Sequence, residues 1–436
     1  MANRIGIRME DKNEWERRAA LIPADVADLT AQGIEIWVEH FARRAFSDGS
    51  YETAGAVLVD DAKACGMILG IKEIPVNYLR SGGAYMFFSH TIKGQAYNMG
   101  MLAALVERKC TLLDYEMVTD DDGKRLIFFG RYAGLAGMID TLWTLGRRLE
   151  VRGVTTPFLE IQPAHLYREL DEAKTVITRV GERIAAEGVP GDLAPMVVGF
   201  TGYGNVSRGA QEIFDLLPHM EVQPAELAAF VAGNAALRDK LVKVVYTAED
   251  LVDRIDPSHP FDLQEYYDHP ERYRSAFEPH LRLLSVLMNC IYWDERYPRL
   301  ADVDQLRNLS AGPGEPKLVA VGDITCDVNG SLACTVFDTE SGDPVYIYDP
   351  ETRRAVSGFK GPGLAVMSVG NLPCELPRGA SSTFSNALKP FILTLAHVDF
   401  AGRFENAELP DPIRRSVILW KGEFTPRFEY MKEFLR

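Results

Sequence analysis

The sequence predicts two doubly wound α/β domains with a cleft between them. Short apolar runs alternate with stretches of helical periodicity along most of the chain, the pattern of parallel strands covered by helices. Residues 197–214 read as strand, tight glycine turn and helix, the local unit from which such domains are built. The length, 436 residues, accommodates two domains of this kind.

The first apolar run is Ile5-Gly6-Ile7, followed by a charged loop from Glu10 to Arg18. Pro23 opens a helix to about Ala31, because proline is preorganised for a first helical position. Gly33 is its expected stop, and Ile34–Val38 alternates like a strand. Met67–Ile71 and Tyr85–Phe88 are further strands, ending at Lys72 and at Ser89-His90. Gln95–Val106 is helical and Thr111–Leu113 returns to strand. From Tyr132 to Leu149, Leu135, Met138, Ile139, Leu142 and Leu145 share one helix face, and this helix reads as a connector between domains. A break at Pro157–Pro163 precedes a helix over Glu169–Glu187. After the glycine turn, strands are expected near Met220–Val222, at Leu241–Tyr246, within Leu283–Ile291 and at Leu318–Val321. Ser310–Pro316 is a Gly/Pro-rich loop, and Ala387–Ala396 a helix returning to the first domain. The domains are therefore expected at 1–150, completed by about 375–436, and at 151–374.

Composition narrows the function. Apolar residues make up 47% and charged residues 25%, ordinary for a globular chain. The net charge of −15 argues against a nucleic-acid or anionic-membrane surface. The six cysteines are scattered without a C-x-x-C pair, so buried thiols are expected rather than disulfides or zinc. The first residues lack an apolar signal core and no run is long enough to span a membrane, which predicts a cytoplasmic setting.

In the glycine turn, Gly202 allows the sharp bend and Gly204 lets a diphosphate approach the backbone. The amides of Asn205, Val206 and Ser207, at the helix start, would face the anion. Ser207 stands where the third small residue of the dinucleotide fingerprint falls. A chance glycine turn is the alternative, and the flanking strand and helix argue against it.

Lys72, His90 and Asp323 each follow an apolar run directly or within two residues, and open parallel sheets bind ligands beyond the carboxyl ends of their strands. Lys72 could supply a proton to a developing amine or alkoxide, and His90 could exchange protons near neutral pH. Asp323 could hold a cationic group or the amide edge of a nicotinamide. Taken singly, each is more often structural; together, in a chain with a dinucleotide turn, they point to a reaction centre. Arg17 and Arg18 precede the first helix, and an arginine fork suits a carboxylate, although a solvated loop charge is equally compatible. No histidine or cysteine has metal-ligand spacing, and a catalytic metal is not expected.

At this point the chain resembles the lysine–ketoglutarate reductase (saccharopine-forming) domain, itself similar to alanine dehydrogenase and the soluble part of transhydrogenase. The resemblance is carried by Ile5–Arg8 with Trp15–Ala19, Ile68–Lys72, Phe87–Lys93, Ala133–Met138, Thr201–Ser207, His269–Tyr273, Asp323-Ile324 and Asn371–Pro373. Phe88–Lys93 is particular to the reductase branch, while Arg18, Lys72, His90 and Asp323 fit the wider superfamily. The resemblance implies condensation of the ε-amine of L-lysine with 2-oxoglutarate, and reduction of the imine to saccharopine by a nicotinamide cofactor. It places the acid–base pair on Lys72 and His90, and the keto-acid carboxylate on Arg18, assisted by Arg17. Asp323 falls near the nicotinamide and the substrate amine. The bifunctional relatives continue into a saccharopine-cleaving domain, so this chain, ending at Arg436, is expected to make saccharopine without processing it further. Glu221, about twenty residues beyond the first glycine, would bind an NAD ribose, whereas Arg208 would favour a 2′-phosphate. The balance favours NADP(H) over NAD(H). Self-association is left open. A different amine and keto acid, as in alanine-dehydrogenase-like or opine-type enzymes, is the alternative activity, and a nucleotide-binding protein without chemistry is the non-enzymatic one.

Overall fold

The computed structural model describes residues 4–309 and 317–435, so the expected loop at Ser310–Pro316 lies outside the described residues. The chain forms two compact units. One comprises the chain up to Phe129 and again from Pro377; the other is Gly130–Leu376.

The first unit begins with β1 (Ile5–Ile7), wholly buried, then helix α1 (Pro23–Ala31). Val26 and Leu29 turn the α1 face into the core, and Gly33 closes the helix at φ +85°. Next come β2 (Ile36–Glu39), β3 (Val57–Val59), β4 (Met67–Leu69) and β5 (Ala84–Phe87), then helix α2 (Ala96–Glu107) and β6 (Thr111–Asp114). All pairings among these strands are parallel.

The second unit opens with the long helix α3 (Gly130–Val151), expected at the end of the first domain. Its small residues place it here. A Cβ on Gly134 would lie 1.9 Å from the carbonyl oxygen of Val206, and one on Gly146 2.8 Å from the backbone of Phe158. Arg148 adds hydrogen bonds to the carbonyls of Phe359 (2.6 Å) and Gly361 (2.7 Å). The division therefore falls between Phe129 and Gly130 and not at residue 150.

Helix α4 (Leu170–Glu187) leads to β7 (Val197–Thr201), helix α5 (Asn205–Phe214), β8 (His219–Glu221) and β9 (Leu241–Tyr246). A separate antiparallel ladder joins β10 (Val252–Arg254) to β11 (Tyr273–Ser275). The main sheet resumes with β12 (Val286–Asn289), β13 (Ala320–Asp323), β14 (Val345–Asp349), β15 (Arg354–Ser357) and β16 (Leu364–Met367). Its order is β15-β14-β16-β13-β12-β7-β9-β8, parallel apart from the β14 pairings at one edge. The chain winds outward from β7 in one direction and from β12 in the other, so the turn after β7 stands at the topological switch point.

Helix α6 (Pro377–His397) returns to the first unit, where the hydroxyls of Ser381 and Ser385 accept from the amides of Ala19 (2.9 Å) and Ile22 (3.0 Å). Strand β17 (Val417–Trp420) then pairs antiparallel with β6, and β18 (Glu423–Phe424) with β17. The completed sheet runs β18-β17-β6-β5-β4-β1-β2-β3. Its switch point lies between β1 and β4, so the loops after these two strands share one crevice.

Candidate active site

The loops after β1 and β4 carry Arg17, Arg18 and Lys72, and β5 lies beside β4. Lys72 follows β4 and His90 follows β5, and the ladder between the two chains continues past the strands through Phe88 N to Ile71 O at 3.1 Å. Glu73 joins the two loops. Its carboxylate meets His90 Nδ1 at 2.7 Å and Lys12 Nζ at 3.3 Å. Burial opposes its charge, but the hydrogen bond and charge of His90, with Lys12, bring its carboxyl down to about 2. A proton on His90 Nδ1 satisfies Glu73 and leaves the lone pair on Nε2. The His90 backbone sits in the left-handed region at φ 48°, held by Asn98, whose side-chain amide donates to the carbonyls of Ser89 (3.0 Å) and His90 (3.2 Å). Phe88 stacks on the imidazole.

Burial pushes the Lys72 ammonium below its ordinary value, and the charges of Arg18 and Lys12 push the same way against Glu73 and Glu16. The Lys72 amine makes no hydrogen bond among the described residues. Its backbone is pinned from below: Glu10, buried, accepts from the amides of Ile71 (2.6 Å) and Lys72 (3.0 Å). Burial, reinforced by Glu16 and opposed by Arg8 and the two amides, pushes the Glu10 carboxyl up to about 7.

Arg18 is buried over the face of Phe129, 4.2 Å from its centroid, and its fork grips Glu16 through Nε (2.7 Å) and Nη2 (2.5 Å). A ligand carboxylate would have to displace Glu16 or use another edge of the guanidinium. Arg17 is half-buried, and its carbonyl accepts from the Ala45 amide at 2.9 Å. Sequence reasoning passed over Glu10, Lys12, Glu16 and Glu73. Glu16 and Glu73 at least stand within two residues of positions singled out; Glu10 had no signal, since its partners lie some sixty residues away.

In the second unit the turn after β7 has the properties expected of it. Gly202 adopts φ +84°, closed to most side chains, and its amide donates to Tyr246 O at 2.9 Å. Space above Gly204 is open: a Cβ there would meet nothing within 4 Å. Gly204 caps α5 without a side-chain bond, so the amides of Asn205, Val206 and Ser207 have no partner within the helix. Ser207 is fully buried and accepts from the side chain of Gln211 at 2.9 Å, and Arg208 is exposed in the first turn. These features fit a dinucleotide's diphosphate.

Asp323 ends β13, 1% exposed, and accepts from Asn289 (2.9 Å), Thr325 (2.7 Å) and Thr335 (2.5 Å). Asn289 in turn accepts from Thr201 at 3.1 Å, so one polar network ties together the ends of β7, β12 and β13. Burial raises the Asp323 carboxyl against these donors. The structure thus gathers Lys72, His90, Arg17 and Arg18 in one unit and the glycine turn and Asp323 in the other. Glu221 stands apart from the turn: it pairs with Lys243, midway along β9, on the outermost strand.

Among the described residues, no group of three or more His, Cys, Asp or Glu could hold a metal ion, and no helix is long and apolar enough to cross a membrane. All six cysteines are free thiols.

The family model described as "Alanine dehydrogenase/PNT, N-terminal domain" matches residues 6–136. Alpha-aminoadipic semialdehyde synthase of Arabidopsis thaliana is 39% identical over 98% of this chain and 41% of its own length. The mitochondrial alpha-aminoadipic semialdehyde synthase of Mus musculus is 34% identical over 98% of this chain and 47% of its length. This chain therefore spans under half the length of these two relatives. Saccharopine dehydrogenase [NAD(+), L-lysine-forming] of Emericella nidulans is 26% identical over 93% of this chain and 96% of its length. Among solved structures, an L-alanine dehydrogenase matches with a TM-score of 0.62 at 17% identity, covering 99% of this chain and all of that one, which establishes the shared fold.

Proposed function

We propose that this chain, which is similar to the alpha-aminoadipic semialdehyde synthases and matches the alanine dehydrogenase/PNT N-terminal domain over residues 6–136, is an oxidoreductase of lysine degradation. In this reading it joins L-lysine to 2-oxoglutarate and reduces the imine to saccharopine. The observation that carries the reading is the bond from His90 to Glu73, which ties the imidazole to the loop that carries Lys72.

Forming an imine from an amine and a ketone requires one proton acceptor and one proton donor, since water must leave the carbinolamine. Lys72 and His90 are the proposed pair. Lys72 is suited because burial lowers its affinity for a proton and so enlarges its neutral fraction. His90 is suited because Glu73 takes its Nδ1 and leaves the lone pair on Nε2 for proton exchange. Arg17 and Arg18 are proposed to take substrate carboxylates, of which lysine and 2-oxoglutarate together carry three. The exposed first turn of α5 is proposed to hold the diphosphate of a nicotinamide dinucleotide, which supplies the hydride when bound. Arg208 supports NADP(H) over NAD(H). Asp323, saturated by internal donors, is proposed to hold the ends of β7, β12 and β13 in place for the nicotinamide end. Free thiols throughout are in keeping with a reducing compartment such as the cytoplasm, although the mouse relative is named mitochondrial.

The test is an initial-rate assay of NADH and NADPH oxidation with 2-oxoglutarate and, in turn, lysine, ornithine and ammonia. Lysine-dependent oxidation yielding saccharopine by mass spectrometry is expected. Turnover with ammonia alone would replace this reading by an alanine-dehydrogenase-like one.

A further inference from the structure

We propose that the adenosine ribose of the dinucleotide is read by the turn after β9, with Glu249 as the deciding side chain, and not by Glu221. The inference rests on the proposed role of the second unit as a dinucleotide site. In a doubly wound domain the diphosphate sits at the glycine turn, and the ribose lies over the end of the strand beside it. That neighbour is usually the next strand in the chain. Here it is not. The chain passes from β7 to β8, but β8 lies at the sheet edge, and β9 fills the place between them.

Register makes the difference large. Thr201, the last residue of β7, pairs with Tyr246, the last of β9, and the Gly202 amide extends that ladder to Tyr246 O at 2.9 Å. Glu221 pairs with Lys243, three residues earlier on β9. It is thus about 10 Å behind the strand ends and a further ~5 Å out across the sheet. Its carboxylate is also engaged, 3.8 Å from Lys243 Nζ.

The residues that do follow β9 beside the glycine turn are Thr247, Ala248, Glu249 and Asp250. Asp250 is occupied locally, accepting from the amide (2.7 Å) and hydroxyl (2.8 Å) of Thr247. Glu249 is exposed and, among the described residues, makes no hydrogen bond or ion pair. A carboxylate here can accept from both ribose hydroxyls and repels a 2′-phosphate. The ratio of NADPH to NADH affinity is then set by Glu249 acting against Arg208.

The experiment is fluorescence titration of the full chain with NADH and NADPH, without substrates, for the wild type, Glu249→Arg, Glu249→Gln and Glu221→Arg. Glu249→Arg is expected to raise the NADPH-over-NADH affinity ratio about tenfold or more, and Glu249→Gln about threefold. Glu221→Arg should change it less than about twofold. A ratio that follows Glu221, or that ignores both glutamates, overturns the assignment. A wild-type chain that binds neither nucleotide removes the dinucleotide reading of this unit, and the inference with it.

Discussion

Lys72 and His90 stand out because of what surrounds them. Glu73 orients the imidazole, Glu10 fixes the backbone from which the lysine springs, and burial, with Arg18 and Lys12, depresses the lysine's affinity for a proton. Lys72→Met and His90→Gln should each lower kcat by roughly 10²- to 10³-fold, the size of a lost acid or base. Neither belongs to the unit that carries the glycine turn, so dinucleotide affinity measured by titration should stay within about twofold. Full turnover in both variants would remove the pair from the mechanism. Glu10→Ala strips the amides of Ile71 and Lys72 of their acceptor and should cost about 1–3 kcal/mol in urea unfolding. Its loss of kcat should exceed its loss of substrate affinity, because the lysine's position and not the pocket's charge is altered. The positions of Lys72 and His90 at strand ends were legible in the sequence. Their supporting acids were not, because an acid in a charged loop looks solvated until a distant strand closes over it.

At the level of elements, two helices and one turn decide the second unit. Helices α3 and α5 approach so closely that backbone meets backbone: Cβ atoms on Gly134 and Gly209 would fall 1.9 Å from Val206 O and 2.1 Å from Arg131 O. Gly134→Ala is therefore expected to destabilise the fold by about 1–3 kcal/mol, read from the denaturation midpoint, since no side chain can move aside. Gly204→Ala makes the opposite test. The site is open and its φ of −76° suits any residue, so stability should hold while dinucleotide binding weakens at least about tenfold. Unchanged binding would mean that nothing comes close to that backbone. Most elements were legible from their periodicity, the glycine turn most clearly. The antiparallel edge strands β14 and β15 were missed: β14 is a short unbroken apolar run without alternation, and β15 is a short, largely exposed strand bounded by arginine and serine.

Across the whole molecule, one buried pair gives stability a pH dependence of its own. Asp140 on α3 and Glu375, just before α6, are buried together in the second unit. Burial raises both carboxyls, Asp140 to about 6 and Glu375, which also faces Asp140, well above its ordinary value. Raised values mean that the folded state holds protons the unfolded chain would release. The stabilisation is complete below the unfolded values near 4 and is lost as pH climbs through 6 and beyond. Between pH 5 and 8 the wild-type Tm should drop by several degrees more than that of Glu375→Gln, whose amide can donate to Asp140 without titrating. Parallel melting curves would show that the pair carries no proton linkage. By itself the sequence determined the α/β class, the return of the tail to the first unit, the glycine turn and the placement of Lys72, His90 and Asp323 at strand ends, since all of these follow from local periodicity and turn chemistry. Only the tertiary structure decided that α3 belongs to the second unit, that β9 and not β8 lies against β7, and that Glu10 and Glu73 hold the reacting loops. Those outcomes depend on which distant strands pair and which backbones touch, and such long-range choices leave no mark in any short window of residues.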